Sequence, residues 1–113
     1  MKKVDIIKTA KEVIELQSNS IANLEKFIDK NFQDVVNLLK NINGRLIVIG
    51  IGKSAIIGKK IVATLNSTGT SSIFIHGVEA IHGDLGSIKK DDVILFISKS
   101  GNTPEIKVLV PLI

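Results

Sequence analysis

Apolar residues recur at three- and four-residue steps through residues 4–42: Ile6, Ile7, Ala10, Val13 and Ile14, then Ile21, Leu24, Phe27 and Ile28. That is the spacing of one face of an α-helix. Residues 17–20 dilute the stripe but contain neither Pro nor Gly, so the helix is expected to run through them. Phe32, Val35, Val36 and Leu39 carry the period onto a second helix, and Asn43-Gly44 is a stop signal. Two amphipathic helices account for this segment.

From Arg45 onward the period changes. Leu46-Ile47-Val48-Ile49 is a continuous run with no polar alternation, as expected of a strand buried on both faces. Gly50-Ile51-Gly52 follows, and residues 54–67 read as a helix carrying Ile56, Ile57, Ile61, Val62 and Leu65, closed by Thr68-Gly69-Thr70. Ser72-Ile73-Phe74-Ile75 is a second strand and Val93-Ile94-Leu95-Phe96-Ile97 a third. Thr103-Pro104-Glu105 opens another helix, with proline in its first turn. Strand, helix, strand, connection, strand, helix is the pattern of an α/β fold with a parallel sheet. The expected division is a helical segment over 1–43 and the first half of an α/β sheet over 44–113. Three strands make a thin sheet and the last helix has almost nothing after it, so the chain reads as cut within a larger fold.

Composition narrows the function. Hydrophobic residues are 44% and charged residues 23% of the chain, the balance of a globular protein. There is no cysteine, which removes disulfides, thiolate metal sites and cysteine nucleophiles. No apolar stretch approaches the roughly 18 residues of a membrane helix, and the charged, periodic start is not a secretory signal. A cytoplasmic protein without a membrane partner is expected. The net charge of +4 comes from lysines scattered along the chain and a single arginine, Arg45, with no Trp or Tyr to stack on bases. A small phosphorylated ligand suits this balance better than nucleic acid.

Ligands of open parallel sheets bind beyond the carboxyl ends of the strands, and three loops leave such ends. The first, Gly50-Ile51-Gly52-Lys53-Ser54, combines glycines that admit close backbone approach with the start of a helix. It has the glycine spacing of neither a Walker A motif nor a dinucleotide fingerprint. Lys53 is either a solvent-facing lysine or a partner for ligand oxygens. The second runs from His76 to Gly86 and holds Glu79, His82 and Asp84. His76 and His82 are not at close ligand spacing and the acids suit turn caps, so a metal site fits less well than a histidine moving a proton or binding a hydroxyl. The third, Ser98-Lys99-Ser100-Gly101-Asn102-Thr103-Pro104-Glu105, gathers hydroxyls around a glycine turn, as a phosphate cradle does. Thr103 as a plain helix cap explains Thr103 and Pro104 but not the two serines.

These loops together resemble the sugar isomerase (SIS) domain family, whose phosphate loop has the form Ser-x-Ser-Gly-x-Thr; Ser98, Ser100, Gly101 and Thr103 match every fixed position. Gly50-Ile51-Gly52-Lys53-Ser54, Ser67-Thr68-Gly69-Thr70 and His82-Gly83-Asp84-Leu85-Gly86 are similar to its arabinose 5-phosphate isomerase branch. The resemblance implies a three-layer parallel sheet with flavodoxin-like winding. It implies aldose–ketose isomerisation of a sugar phosphate, ribulose 5-phosphate to arabinose 5-phosphate through an enediol, in synthesis of the octulosonic acid of lipopolysaccharide or capsule. No cofactor or metal is called for. By matching positions, Ser54, Ser98, Ser100 and Thr103 would hold the phosphate, and Lys53, His82 and Glu105 would be catalytic, with Glu105 the proton-transferring carboxylate. A homo-oligomer is implied as well.

Some positions depart from the family pattern. Lys99 stands where Asn or Gln is usual, Asn102 where Glu is usual, and Ala55 where Gly is common. Members continue through two more strands bearing a further glutamate and histidine, and most append paired cystathionine-β-synthase-type regulatory domains. The 113 residues alone are therefore expected to be inactive. A non-catalytic sugar-phosphate sensor is the competing expectation; Lys53 and the His82 segment favour the enzyme, because a sensor needs only the phosphate loop.

Overall fold

The computed structural model describes residues 2–113. Two compact units divide the chain between Leu38 and Leu39. In the first, helix α1 (Ile6–Asn23) starts where Asp5 accepts the Lys8 N–H at 3.1 Å, an N-cap that satisfies one otherwise unpaired donor. It runs unbroken through residues 17–20, where the Ser20 hydroxyl donates back to the Leu16 carbonyl at 2.8 Å. A 3₁₀ turn (Leu24–Phe27) separates it from α2 (Lys30–Lys40), whose start is marked by Asp29 accepting the Phe32 N–H at 3.2 Å. α2 therefore ends short of Asn43-Gly44, where the sequence places the stop. Every described residue of this unit is exposed, the apolar stripe included.

The second unit is built on β1 (Leu46–Gly50), β2 (Ser72–His76) and β3 (Val93–Ile97), all parallel and ordered β2-β1-β3. The central strand is buried along its whole length, as its unbroken apolar run requires. Alternate residues serve the two faces. Ile47, Ile49 and Ile75 form the core with Ala80 of α4 (Gly77–Ile81) and Leu109 of α5 (Pro104–Leu109). On the other face, Val48 and Phe74 lie against Gly58 of α3 (Lys53–Ser67). Helix, sheet, helix are the three layers that the resemblance implies. The connection between β2 and β3, which the sequence leaves without elements, contains α4 and a 3₁₀ turn (Asp84–Ser87).

The amino ends of the strands are tied together. Asp92 accepts the Arg45 and Lys89 backbone N–H groups at 2.8 Å each and the Arg45 guanidinium at 2.9 Å. The guanidinium also donates to the Ser87 carbonyl at 2.9 Å. The Asp92 side chain is only 1% exposed. Hydrogen bonds from Arg45, then from the Lys89 backbone, hold its carboxyl far below the usual carboxylate range. Nearby, Asn66 brackets Ser72 from both sides, donating to its carbonyl at 3.0 Å and accepting its N–H at 2.8 Å. The Ser67-Thr68-Gly69-Thr70 motif closes α3 here, with the Thr70 N–H reaching back to the Leu65 carbonyl at 2.9 Å. That motif sits at the amino end of the sheet, opposite the loops that follow Gly50 and Ile97.

Candidate functional site

Gly50, the last residue of β1, is in register with His76, the last of β2, and with Ile97, the last of β3. The three chemistry-bearing loops therefore leave one edge of the sheet side by side. The strand order reverses at β1, since its neighbours β2 and β3 lie on opposite sides of it. A parallel sheet opens its ligand crevice at such a point.

The first loop turns at Gly52, whose φ of 62° is left-handed and suited to glycine. Gly52 occupies the N-cap position of α3 and offers no side-chain cap, so no side chain of its own takes up the first-turn N–H donors of a 15-residue helix. Lys53 is exposed and Ser54 half-buried.

In the second loop the two histidines differ. His76 caps α4, its Nδ1 accepting the Val78 N–H at 3.2 Å. His82 ends α4 and is exposed. Among the described residues no group of three or more His, Cys, Asp or Glu side chains is placed to hold a metal ion.

The third loop is organised by its own hydroxyls. Ser98 Oγ lies 2.8 Å from Thr103 Oγ1 and accepts the Gly101 N–H at 3.0 Å; Ser100 Oγ accepts the Asn102 N–H at 3.0 Å. Thr103 makes no side-chain cap on α5 although it stands at the N-cap position. Its hydroxyl is turned across the loop to Ser98, so a plain capping role does not describe it. Ser100, which only accepts, keeps its hydroxyl hydrogen free to donate, and of the Ser98–Thr103 pair one hydrogen bridges the two oxygens and the other stays free, which suits an anion. Ser98 and Thr103 are half-buried, Ser100 is exposed, and none of the three is sealed in the core.

Of the residues singled out from sequence, Ser98 and Thr103 touch, with Ser100 on the same loop. Ser54 and Lys53 belong to the neighbouring loop, His82 to the one beyond. Glu105 is half-buried in the first turn of α5. Among the described residues, the side chains of Lys53, His82 and Glu105 have no hydrogen-bond or ion-pair partner. The sequence does not signal the hydroxyl-to-backbone bonds or the His76 cap; the short Ser-x-Ser spacing around Gly101 is the one trace of the former.

The SIS domain profile matches residues 38–113 of this chain. The chain belongs to the SIS domain family. Among curated SIS relatives, arabinose 5-phosphate isomerase KdsD of Pseudomonas aeruginosa is 48% identical over 97% of this chain. Arabinose 5-phosphate isomerase KpsF of Escherichia coli O6:H1 is 48% identical over 94% of it. The chain spans about a third of the length of these relatives, 34% and 33%. Solved SIS structures superpose closely. An Escherichia coli CFT073 protein in complex with arabinose 5-phosphate has a TM-score of 0.82 at 39% identity, covering 96% of this chain and 60% of that one. A candidate sugar-phosphate isomerase of Listeria monocytogenes has a TM-score of 0.90 at 29% identity, covering 98% of this chain and 59% of that one. The fold read from sequence, an α/β parallel sheet with flavodoxin-like order, is the fold of this SIS chain. No helix among the described residues is long and apolar enough to cross a membrane.

Proposed function

We propose that this chain supplies part of the active site of a sugar-phosphate isomerase that interconverts ribulose 5-phosphate and arabinose 5-phosphate. The observation that carries the reading is the hydroxyl-organised loop of residues 98–103, set at the same sheet edge as the loop that leads into Lys53 and the start of the connection that carries His82. Relatives named arabinose 5-phosphate isomerase, and a superposable structure holding arabinose 5-phosphate, support the substrate class.

Ser98, Ser100 and Thr103, with Ser54 from the adjacent helix start, grip the phosphate and fix the carbon chain above the strand ends. Glu105 acts as the base. It takes a proton from C1 of the ketose while the C2 carbonyl oxygen gains one, giving the enediol. The proton then returns to C2 as the C1 hydroxyl loses its own, leaving the aldose. Lys53 and His82 stabilise and relay charge at the two oxygens. Nothing is oxidised or reduced overall, so the step balances as one carbon-to-carbon proton transfer plus its oxygen counterpart. The reaction would feed lipopolysaccharide or capsule precursors in the cytoplasm, in a homo-oligomer that covers the exposed stripe of α1 and α2.

The test is conversion of ribulose 5-phosphate by the full-length protein, followed as appearance of the aldose. Conversion is expected. Tight binding of the sugar phosphate without conversion would replace the enzyme by a sensor.

A further inference from the structure

The loop of residues 98–103 offers hydroxyls and backbone N–H groups, all uncharged, and a single charged side chain, Lys99. The isomerase assignment gives Lys99 no part. It stands between Ser98 and Ser100, with its Cα about 3.8 Å from that of each, and it is exposed. Its ammonium group has no hydrogen-bond or ion-pair partner among the described residues.

Two departures from the family pattern act here in one direction. Lys99 in place of Asn or Gln adds a positive charge, and Asn102 in place of Glu removes a negative one. The loop is therefore two charge units more positive than the pattern it resembles. Both changes fall on exposed residues, whereas Ser98 and Thr103 at the base of the loop are half-buried and keep their hydroxyls. Hydroxyls and N–H groups fix where an anion sits. A charge on the solvated rim adds an attraction that grows with the charge of the ligand and is screened by salt. A phosphate monoester carries close to two negative charges above pH 7. An ammonium about 7 Å from two charges in water changes affinity about sevenfold, and from one charge about threefold.

We propose that Lys99 is a specificity-determining residue, which biases this loop toward doubly charged phosphate esters through long-range charge rather than through a fixed hydrogen bond. The proposal rests on the reading that this edge binds a sugar phosphate, and it does not require that the sugar be isomerised. The experiment compares the full-length wild type with Lys99→Gln and Lys99→Arg by calorimetric titration with ribulose 5-phosphate, at ionic strengths of about 0.02 M and about 0.5 M. Lys99→Gln should bind about three- to sevenfold more weakly at the lower ionic strength and within about twofold of wild type at the higher one. Lys99→Arg keeps the charge and should follow the wild type within about twofold at both. Asn102→Glu, with Lys99 in place, should weaken binding at the lower ionic strength as Lys99→Gln does, because it opposes the same charge. Equal affinity of Lys99→Gln and wild type at the lower ionic strength would make Lys99 a solvated bystander and overturn the proposal. A deficit that persists undiminished at the higher ionic strength would overturn it too, since a direct bond or a misshapen loop is not screened away. A wild type that binds ribulose 5-phosphate without converting it removes the isomerase and leaves this comparison intact, while one that does not bind it removes both.

Discussion

The hydroxyl oxygens of Ser98 and Thr103 lie 2.8 Å apart, joining the end of β3 to the first residue before α5. Because Thr103 directs its hydroxyl to Ser98 and not to its own helix, its removal should be felt by a bound anion. Thr103→Val is expected to weaken sugar-phosphate binding about tenfold, with Thr103→Ser close to wild type. Calorimetric titration decides this. Equal affinity in the valine variant would mean that the hydroxyl pair only shapes the loop.

Glu105 sits half-buried with no side-chain partner in the first turn of α5, as an unengaged base would. In the full-length protein Glu105→Gln should lower isomerisation by at least about a hundredfold, the lower scale of general-base catalysis. Binding should persist, since the phosphate is held by other residues. An unaltered turnover rate would take Glu105 out of the mechanism.

Asp92 predicts how the fold responds to acid. Its carboxyl is held below the ordinary value of 3.8 in the folded chain, chiefly by Arg45. The unfolded chain therefore binds a proton more readily over that interval, and stability falls as pH drops. The contribution is complete above the ordinary value and is lost as pH falls toward the folded one. Chemical melts from pH 6 down to pH 2 should show a steeper loss below about pH 4 for wild type than for Asp92→Asn, which should be weaker at neutral pH. Parallel curves would show that the Arg45–Asp92 pair does not govern acid stability.

The first unit carries Ile6 at 78% and Ile21 at 69% exposure, and Leu95 of β3 is 38% exposed. Such apolar surface favours association, and an unpaired edge strand favours it further. The 113-residue chain alone should sediment as an oligomer or aggregate. A monodisperse monomer that unfolds cooperatively would contradict this.

Much of the fold is legible because burial leaves a composition trace. Leu46-Ile47-Val48-Ile49 announces a central strand, and the flanking runs at residues 72–75 and 93–97 announce its neighbours. Short elements leave none. α4 is five residues long and opens on glycine, so periodicity has nothing to count. The Arg45–Asp92 pair spans 47 residues and no local pattern encodes it. The position of the hydroxyl loop at a strand-to-helix junction is readable, but the direction of each hydroxyl is not. Thr103 shows why: the same residue in the same place caps a helix or crosses a loop according to whether a serine is within reach.

Because the central strand is the first to be synthesised, the order β2-β1-β3 has a consequence during translation. β1 pairs on both sides, yet 47 residues separate Arg45 from Asp92, where its second neighbour begins. At roughly 5–20 residues per second, the ribosome takes about two to nine seconds to deliver that partner. Through this interval the most apolar stretch of the nascent chain has one hydrogen-bonding flank open. α3 and β2 arrive earlier and can shield one face, but the other waits for α4 and α5, the latter after β3. The interval falls during synthesis of residues 46–92, making this run a natural target for holdase chaperones and the stretch where slowed elongation would do most harm.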